Sequence, residues 1–428
     1  MPDSPAKAPG SSPETPPSST GTPPRARRAL APFRHGVFTA IWLGTLFSSL
    51  GVWIQSVAAA WLMILITTSP DLVAMVQSAA SLPVFLFSLV GGVLADVIDR
   101  RLAQVIGQLI VMGAALALAL CDGLGWVTPW LLLAMTFTLG IGSAIRQPAF
   151  QASVGDLVPS EDVPAAVALN SVNFNIARAL GPGIGGLIVA AAGAQAAFLV
   201  NAGCNLITIV VLLAWRGSIV SAPRRPESVV GALTAGLRQV AMLAPLRRVM
   251  IRVSVFCLFA AALWALLPLV AKDDLHGDSS TYGTMLGCLG FGAVVGAGLL
   301  PPLRRRLSDE AVINLGAWLF ALATVALATL HFMLVLTPLL VLGGVAWMIV
   351  MSSFSITIQL GAPGWVKARV LAIYFMAMFG SLALGSWLWG WIAALRDVHQ
   401  SLILAGALLT ASPLLGRRFR MPDIPREP

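Results

Sequence analysis

Apolar stretches long enough to cross a bilayer, whose hydrocarbon core is about 30 Å thick, most restrict the fold of this 428-residue chain. Twelve such stretches lie near 37–60, 72–95, 102–121, 129–150, 165–190, 195–215, 250–271, 281–300, 311–330, 333–358, 369–393 and 400–416. Charged residues make up 11% of the chain, against about 25% in soluble domains. The sequence therefore predicts an all-α integral membrane protein with twelve transmembrane helices.

The basic residues are distributed unevenly over the connections between these spans. Alternate connections, counted from the amino terminus, hold 23 of the 27 Lys and Arg residues; the others hold Lys272 and Arg396, and Arg146 and Arg178 lie inside spans. Because Lys and Arg collect on the cytoplasmic side, a multi-pass protein of the inner or plasma membrane with both termini cytoplasmic is predicted. The bases are scattered rather than forming one basic face, so no nucleic-acid partner is expected.

Five regions follow from composition and span positions. A Pro-rich cytoplasmic tail is expected to be disordered, because its composition cannot bury enough apolar surface to fold. Two six-helix bundles follow, separated by a basic, Pro-containing cytoplasmic linker, and a second cytoplasmic tail ends the chain. The predicted boundaries are tail 1–34, bundle 35–216, linker 217–248, bundle 249–416 and tail 417–428.

An internal repeat relates the two halves. Residues in two separate regions of the first half recur 204 positions later: Gly92, Arg100, Arg101, Pro159, Gly181 and Gly186 recur as Gly296, Arg304, Arg305, Pro363, Gly385 and Gly390. Six spans separate equivalent positions, so the halves have the same orientation in the membrane and are related by an axis along its normal. The twelve helices are therefore expected to form two pseudo-symmetric six-helix bundles.

A glycine-rich, charged segment joins the second and third spans: residues 91–101 read Gly-Gly-Val-Leu-Ala-Asp-Val-Ile-Asp-Arg-Arg. This resembles the signature of the major facilitator superfamily, with Val97 and Asp99 where Arg and Gly are usual. The resemblance implies a central cavity, alternating access and a gating role for Asp96, Arg100 and Arg101. The other interpretation is a charged turn that only follows the positive-inside rule.

Segments 140–149, 156–159 and 168–186, with further matches at 266–271 and 290–293, resemble the enterobactin-exporter-like (transmembrane secretion effector) branch of that superfamily. The resemblance covers about residues 35–416. It implies secondary active export of a small amphipathic molecule, such as a siderophore-like metabolite or a drug. Gly181, Pro182, Gly185 and Gly186 also resemble a drug-exporter motif, which implies a gating bend; close helix packing is the alternative.

Arg178 lies about fifteen residues into the fifth span, near mid-membrane, where a guanidinium costs several kcal/mol unless paired or hydrated. Ser171 and Asn175 share its helix face at i, i+4, i+7 spacing. One hypothesis makes Arg178 a contact for an anionic or polar substrate, or for a carboxylate that changes partner during transport. The alternative is a buried structural network with Asn173, Asn201 or Gln55.

Three further residues complete the predicted substrate contacts. Arg146, near the cytoplasmic end of the fourth span, either snorkels or lines the inner vestibule, and the nearby Gln147 and Gln151 favour lining. Trp53 and Gln55 lie in the aromatic-rich first span. Its aromatic residues form either an interfacial belt or a wall for an amphipathic ligand.

The sequence gives the least indication of what energy source drives transport. Carboxylates fall at span ends or in connections, so proton coupling would use a boundary acid such as Asp96 or the substrate itself. The absence of a Walker A motif excludes ATP-driven transport by this chain alone. We expect a monomer in the lipid bilayer that is not an enzyme, acts on a small-molecule substrate and uses no cofactor.

The cysteines and a second function class complete the predictions. The four cysteines have no CxxC or His pairing, so neither a disulfide framework nor a metal site is expected. Val52 and Val97 replace charged residues common in relatives. Together with the missing mid-span carboxylates, they support a second function class, a non-transporting sensor or lipid scramblase on the same fold.

Overall fold

The computed structural model describes residues 29–97, 99–215, 231, 234, 238, 240–362, 367–414 and 419; the side chains of 88–97 and 367–368 lie outside the description. In the part of the chain that the structure describes, eleven α-helices with defined bounds follow a short 3₁₀ turn at Ala31–Arg34. They are α1 Gly36–Ile66, α2 Pro70–Val97, α3 Arg100–Gly123, α4 Pro129–Leu157, α5 Val163–Ala214, α6 Ala244–Leu269, α7 Ser279–Arg306, α8 Asp309–Thr329, α9 Met333–Gly361, α10 Lys367–Leu395 and α11 Val398–Ala411.

These helices account for the twelve predicted spans. In the described part of the chain, ten helices are long and apolar enough to cross a membrane. The 52-residue α5 supplies two spans, because the non-helical backbone of Gly193 (φ 79°, ψ 174°) divides it into two legs. The 14-residue α11 is the twelfth. The predicted twelve-helix fold is therefore confirmed.

Most of the predicted regions outside the bundles cannot be compared with the structure. The tail 1–34 is described only from residue 29, and the linker 217–248 only at 231, 234, 238 and from 240. Of the second tail, 417–428, only residue 419 is described. Helix α6 begins at Ala244, inside the predicted linker 217–248.

Polar caps fix where several helices begin. Asp99, which replaces the usual signature glycine, caps α3 by accepting hydrogen bonds from the amides of Arg101 and Leu102. Asp278 caps α7 in the same way. The Ser280 hydroxyl donates to Asp278 at 2.6 Å, and with the hydrogen bonds from Thr281 it lowers the pKa of the Asp278 carboxyl.

The helices form two bundles, α1–α5 and α6–α11, which meet where α2 packs on α10 and α5 packs on α7. Equivalent glycines show the pseudo-symmetry. Gly181 of α5 packs on α1, and Gly385 of α10 packs on α6. Gly186 of α5 crosses to α7, and Gly390 of α10 crosses to α2. Small residues at these positions let the helix backbones approach closely. This close packing holds helices together in a membrane, where there is no hydrophobic driving force between them.

The bundles have a basic end, at which the Arg-rich connections lie, and an opposite end. Hydrogen bonds join the two bundles in the half nearer the opposite end. Lys272 Nζ donates to the Ile64 carbonyl at 2.7 Å, and the Ser279 hydroxyl donates to the Gly186 carbonyl at 3.1 Å. Trp61 of α1 also stacks on Tyr282 of α7. The structure is thus held closed at the opposite end.

Candidate functional site

Arg178 lies in the first leg of α5, and a proline shapes the backbone around it. Pro182 has no N–H, so the Arg178 carbonyl loses its i+4 hydrogen-bond donor. Gly290 of α7 packs directly against that carbonyl: a Cβ at Gly290 would lie 2.4 Å from the Arg178 oxygen. The contact with Gly290 therefore places the Arg178 backbone where the two bundles meet.

The Arg178 side chain crosses this interface. Its Cζ lies 5.6 Å from the ring centroid of Trp264 in α6, a cation–π contact between the bundles. The Arg178 Nε and the Trp264 Nε1 are shielded from solvent, and neither has a hydrogen-bond acceptor among the described residues. The network with Asn173, Asn201 or Gln55 is not among the contacts that the structure gives Arg178. Two N–H donors at the contact between the bundles thus have no acceptor in the part of the chain that the structure describes.

An aromatic cluster of the second bundle continues from Trp264. Trp347 of α9 meets Trp264 edge to face, with ring centroids 5.5 Å apart. Behind it, Phe256 and Phe320 each lie within 6.0 Å of the Trp347 ring and are almost fully buried. Of these rings, Trp264 is the one that contacts the Arg178 guanidinium, so the site combines positive charge with aromatic surface.

The predicted polar stripe runs from Arg178 along α5. Asn175 is half-buried and Ser171 is exposed. The Asn175 amide donates to the Ser171 carbonyl at 2.8 Å, and the Ser171 hydroxyl donates to the Val167 carbonyl at 3.3 Å. Both donors are thus satisfied by their own helix, whereas the Asn175 Oδ1 and the Arg178 guanidinium remain available on that face.

Gln55 and Trp53 of α1 have partners inside the first bundle. The Asn201 amide donates to Gln55 Oε1, and Asn201 Oδ1 in turn accepts from the Asn205 amide at 2.8 Å. Trp53 packs on Gly181, where a Cβ would lie 2.5 Å from the Trp53 Cβ. The structure therefore ties Gln55 to the second leg of α5 and Trp53 to the first, and gives neither a contact with the Arg178 side chain.

Arg146 of α4 is buried, with 9% of its surface exposed. Its Cβ packs over Gly107 of α3, where an added Cβ would lie 2.8 Å away. Its Nε has no acceptor among the described residues. Arg146 therefore lies against α3 inside the first bundle.

The glycines of the 181–186 motif divide between two neighbours. Gly181 and Gly185 face α1: a Cβ at Gly185 would lie 2.8 Å from the Ile54 Cα. Gly186 faces the other bundle, where a Cβ would lie 2.5 Å from the Ser279 carbonyl. Pro182 is buried between these faces. The motif therefore forms both a contact within the first bundle and a contact between bundles.

The charged segment between α2 and α3 is described in part. Arg100 donates to Asp156 Oδ2 at 2.7 Å and to the Ala152 carbonyl at 2.8 Å, so it joins the start of α3 to the end of α4. Arg101 donates to the Leu213 carbonyl near the end of α5 at 2.7 Å. Asp96 belongs to α2, but its side chain lies outside the described residues.

Buried charge is otherwise paired at the basic end. Arg252 of α6, 6% exposed, donates to Glu310 at 2.6 Å and to Asn314 at 2.9 Å, both of α8. Arg304 donates to Asp309 at 3.0 Å. Asp309 and Glu310 form the first turn of α8. They are thus further boundary acids and do not approach Arg178.

Sequence reasoning missed Trp264 and its aromatic neighbours. Each lies in an apolar helix where an aromatic residue signals only lipid or core packing, and the signal becomes specific only when Arg178 is seen over the Trp264 ring. Trp264 is a partly exposed member of an otherwise buried cluster. Its indole N–H without an acceptor distinguishes it from the buried rings around it.

Two helical bundles in contact along paired helices have the architecture of a membrane transporter of the two-bundle class. The sequence profile of the transmembrane secretion effector family matches residues 27–427. The chain belongs to this family of the major facilitator superfamily, as the sequence motifs predicted. The predicted function class, export-type transport of small molecules across a membrane, is thereby confirmed.

Characterised relatives are distant but cover most of the chain. The multidrug efflux pump Tap of Mycobacterium tuberculosis is 24% identical over 389 residues, 89% of this chain and 92% of Tap. The staphyloferrin A transporter of Staphylococcus aureus is 22% identical over 358 residues, 83% of this chain and 89% of that protein. Both matches extend over the two bundles.

Solved structures share the fold. The D-xylose–proton symporter superposes with a TM-score of 0.71 at 14% identity, covering 90% of this chain and 98% of the symporter. A POT family transporter in complex with 5-aminolevulinic acid gives 0.73 at 14% identity, covering 89% and 95%. The two pseudo-symmetric six-helix bundles predicted from the 204-residue offset are therefore confirmed.

Proposed function

We propose that this protein exports small amphipathic molecules that carry an anionic or strongly hydrogen-bond-accepting group, and that Arg178 and Trp264 form the centre of their binding site. The observation that supports this most is the Arg178 guanidinium over the Trp264 ring, with no acceptor among the described residues for the Arg178 Nε–H or the Trp264 Nε1–H. The Tap efflux pump and the staphyloferrin A transporter, named for a range of drugs and for a siderophore, are relatives that match this chain over most of its length.

The chemistry of this site selects its ligand. A guanidinium at mid-membrane is costly without an anion or water, so a carboxylate or similar group on the substrate stabilises it directly. A planar guanidinium offers two parallel donors to such a group. The Trp264 and Trp347 rings give apolar area for the rest of the molecule, since aromatic faces accept varied shapes. The substrate thus needs one polar acceptor end and one apolar body.

Secondary contacts extend the site along the first bundle. Asn175 and Ser171 continue from Arg178 toward the basic end on one face of α5 and form the entry path. Trp53 and Gln55 shape the wall behind that face, through Gly181 and Asn201 respectively. We assign Arg146 to an inner polar contact at the same end, where its charge attracts anions.

Alternating access uses the contacts between the bundles as gates. In the conformation described here Gly186 lies against Ser279 and Gly283, so α5 and α7 close the opposite end. Opening that end requires these backbones to separate while Gly181, Pro182 and Gly185 keep α5 on α1. Arg100 and Arg101, with Asp96, form the latch that re-forms at the basic end in the alternate state.

The remaining features follow from the same proposal. The basic end faces the cytoplasm of a cell whose plasma membrane holds the protein, with both termini inside. The chain works as a monomer and uses no cofactor, nucleic acid or enzymatic step. Its regions are the tail 1–34, the bundle 35–216, the linker 217–248, the bundle 249–416 and the tail 417–428. Transport draws on an ion gradient through boundary carboxylates or through the charge of the substrate.

Paired substitutions test the site. R178K keeps the charge but loses the planar donor pair, and R178A loses both. W264F keeps an aromatic face but loses the indole N–H. The readout is efflux, from cells with verified surface expression, of two fluorescent compounds of similar size, one carrying a carboxylate and one without. Because a charged hydrogen bond contributes about 1.5–3 kcal/mol, R178A should lower carboxylate efflux roughly 10- to 150-fold.

Matched controls separate binding from folding. R396A removes an exposed arginine at the opposite end, and W126F alters an exposed tryptophan between α3 and α4. Both should transport as the wild type does. R178K should lie between R178A and wild type, and efflux of the uncharged compound should change less than that of the carboxylate. Normal efflux of both compounds by R178A and R178K would refute the proposed site.

A further inference from the structure

Three side chains from separate connections converge at the opposite end of the second bundle. Asp274 ends the π-helical turn Val270–Asp274 that follows α6, His331 lies between α8 and α9, and His399 lies in the first turn of α11. Their nitrogen and oxygen ligand atoms all lie within 4.8 Å of one another. His399 Nε2 and Asp274 Oδ2 are 3.1 Å apart, and the two imidazole centroids are 5.9 Å apart.

These distances suit a small transition-metal ion. With metal–ligand bonds of about 2.0–2.1 Å, tetrahedral geometry separates neighbouring ligand atoms by about 3.3 Å. The His399–Asp274 pair already has this separation. The His331 ring is exposed, so a change of side-chain torsion can complete the set. Two imidazoles with one carboxylate favour Zn²⁺ and similar ions over Mg²⁺ or Ca²⁺, and leave a fourth position for water.

A second carboxylate orients one of the proposed ligands. Asp397 Oδ1 lies 3.4 Å from His399 Nδ1, on the side of the ring away from Asp274. The same oxygen accepts hydrogen bonds from the backbone amides of His399 and Gln400 and so is fixed at the start of α11. A carboxylate on the distal nitrogen holds the ring so that Nε2 points at the metal, as in many zinc sites.

The cluster is connected to a contact between the bundles. The π-helical turn that carries Asp274 also carries Lys272, whose ammonium donates to the Ile64 carbonyl of α1. A metal bond to Asp274 restrains this five-residue turn and with it the Lys272 contact. A metal bound at the cluster therefore stabilises the conformation that is closed at this end.

We propose that Asp274, His331 and His399 form a binding site for a divalent transition metal such as Zn²⁺, with Asp397 as a positioning residue, and that the bound metal slows transport by stabilising closure at this end. The metal-binding part stands on the cluster alone. The effect on transport, and the placement of the site outside the cell, rest on the proposed function.

Metal binding is tested on the purified full-length chain, carrying a purification tag without histidine, freed of metal with a chelator and titrated with Zn²⁺ against a competing indicator. The wild type should bind one Zn²⁺ per chain. H331A and H399A should each lose this site, and D397N should weaken it about 10- to 100-fold without changing the stoichiometry. H276N is the matched control, because His276 is exposed at the same end and is not part of the cluster. Mg²⁺ at equal concentration should not compete.

The outcomes are separable. Unchanged zinc stoichiometry in both H331A and H399A, with normal gel-filtration profiles, overturns the site. If the site is present, external Zn²⁺ should slow efflux by the wild type and leave H331A, which otherwise transports normally, insensitive. Equal zinc sensitivity of wild type and H331A, or none in either, overturns the proposed effect on transport while the binding data stand. Zinc binding by a chain whose R178A variant still exports normally would refute the substrate site alone.

Discussion

Gly290 offers the sharpest test of how the bundles meet. A Cβ at this position would lie 2.4 Å from the Arg178 carbonyl oxygen and 2.8 Å from the Ala179 Cα, whereas ordinary contact begins near 3.4 Å. In G290A the α5 and α7 backbones must therefore separate by about 1 Å at this point. Both obstructing atoms belong to the backbone, so no change of rotamer relieves the overlap.

The size of the effect follows from the cost of overpacking. Forcing an extra methyl group into a close contact costs about 1–3 kcal/mol. This cost applies only while α5 touches α7, so G290A should shift the population away from closure at the opposite end roughly 5- to 150-fold. Transport needs both conformations, and its maximum rate should fall accordingly.

Gly287 provides the control on the same helix. An added Cβ there lies 3.6 Å from the Ala179 carbonyl, an ordinary contact. G287A should therefore leave closure intact and gain up to about 1 kcal/mol of helix propensity. G287A and G290A add the same methyl group at positions less than one helical turn apart.

The assay is labelling of S280C, at the opposite end of α7, by a membrane-impermeant thiol reagent. The background lacks the four native cysteines, Cys121, Cys204, Cys257 and Cys288. G290A should accelerate labelling severalfold and G287A should leave it unchanged. Equal labelling and equal transport in the two alanine variants would contradict the close contact between α5 and α7.

Three further predictions concern stability, measured by thermal unfolding in detergent. G193A should cost about 1–3 kcal/mol because the kink between the legs of α5 has φ 79°, whereas G203A, in the second leg with open space around it, should not destabilise. R252A should cost about 3–5 kcal/mol, because it removes the buried cation that pairs with Glu310, and R252A/E310Q should recover part of that loss. D278A should lower the free energy of unfolding by about 1 kcal/mol through the lost cap. Because the pKa of Asp278 is lowered in the folded state, this loss should be full near pH 7 and should shrink as the pH falls below the ordinary pKa of 3.8.

Much of the fold was predictable because a bilayer imposes a length on every helix. A helix of about 20 or more apolar residues is recognisable from the local sequence. Helix α1, Gly36–Ile66, extends the predicted apolar stretch 37–60 at its carboxyl end by six further residues, 61–66, which are also apolar. The repeat was visible for a related reason: Gly181 and Gly385 occupy equivalent close contacts where only a glycine fits, so the same letter recurs at the same offset.

The sequence alone determined the number of spans, because each span is a continuous apolar stretch, and the pseudo-symmetry, because identical residues recur at a fixed offset of 204 positions. It also showed a cation, Arg178, within an apolar span. Only the tertiary structure decided which group faces that cation, because Trp264 reaches Arg178 from the other bundle. The same holds for Asp274, His331 and His399, which three separate connections bring together. Contacts between distant segments depend on helix packing, for which single residues in an apolar sequence carry no local signal.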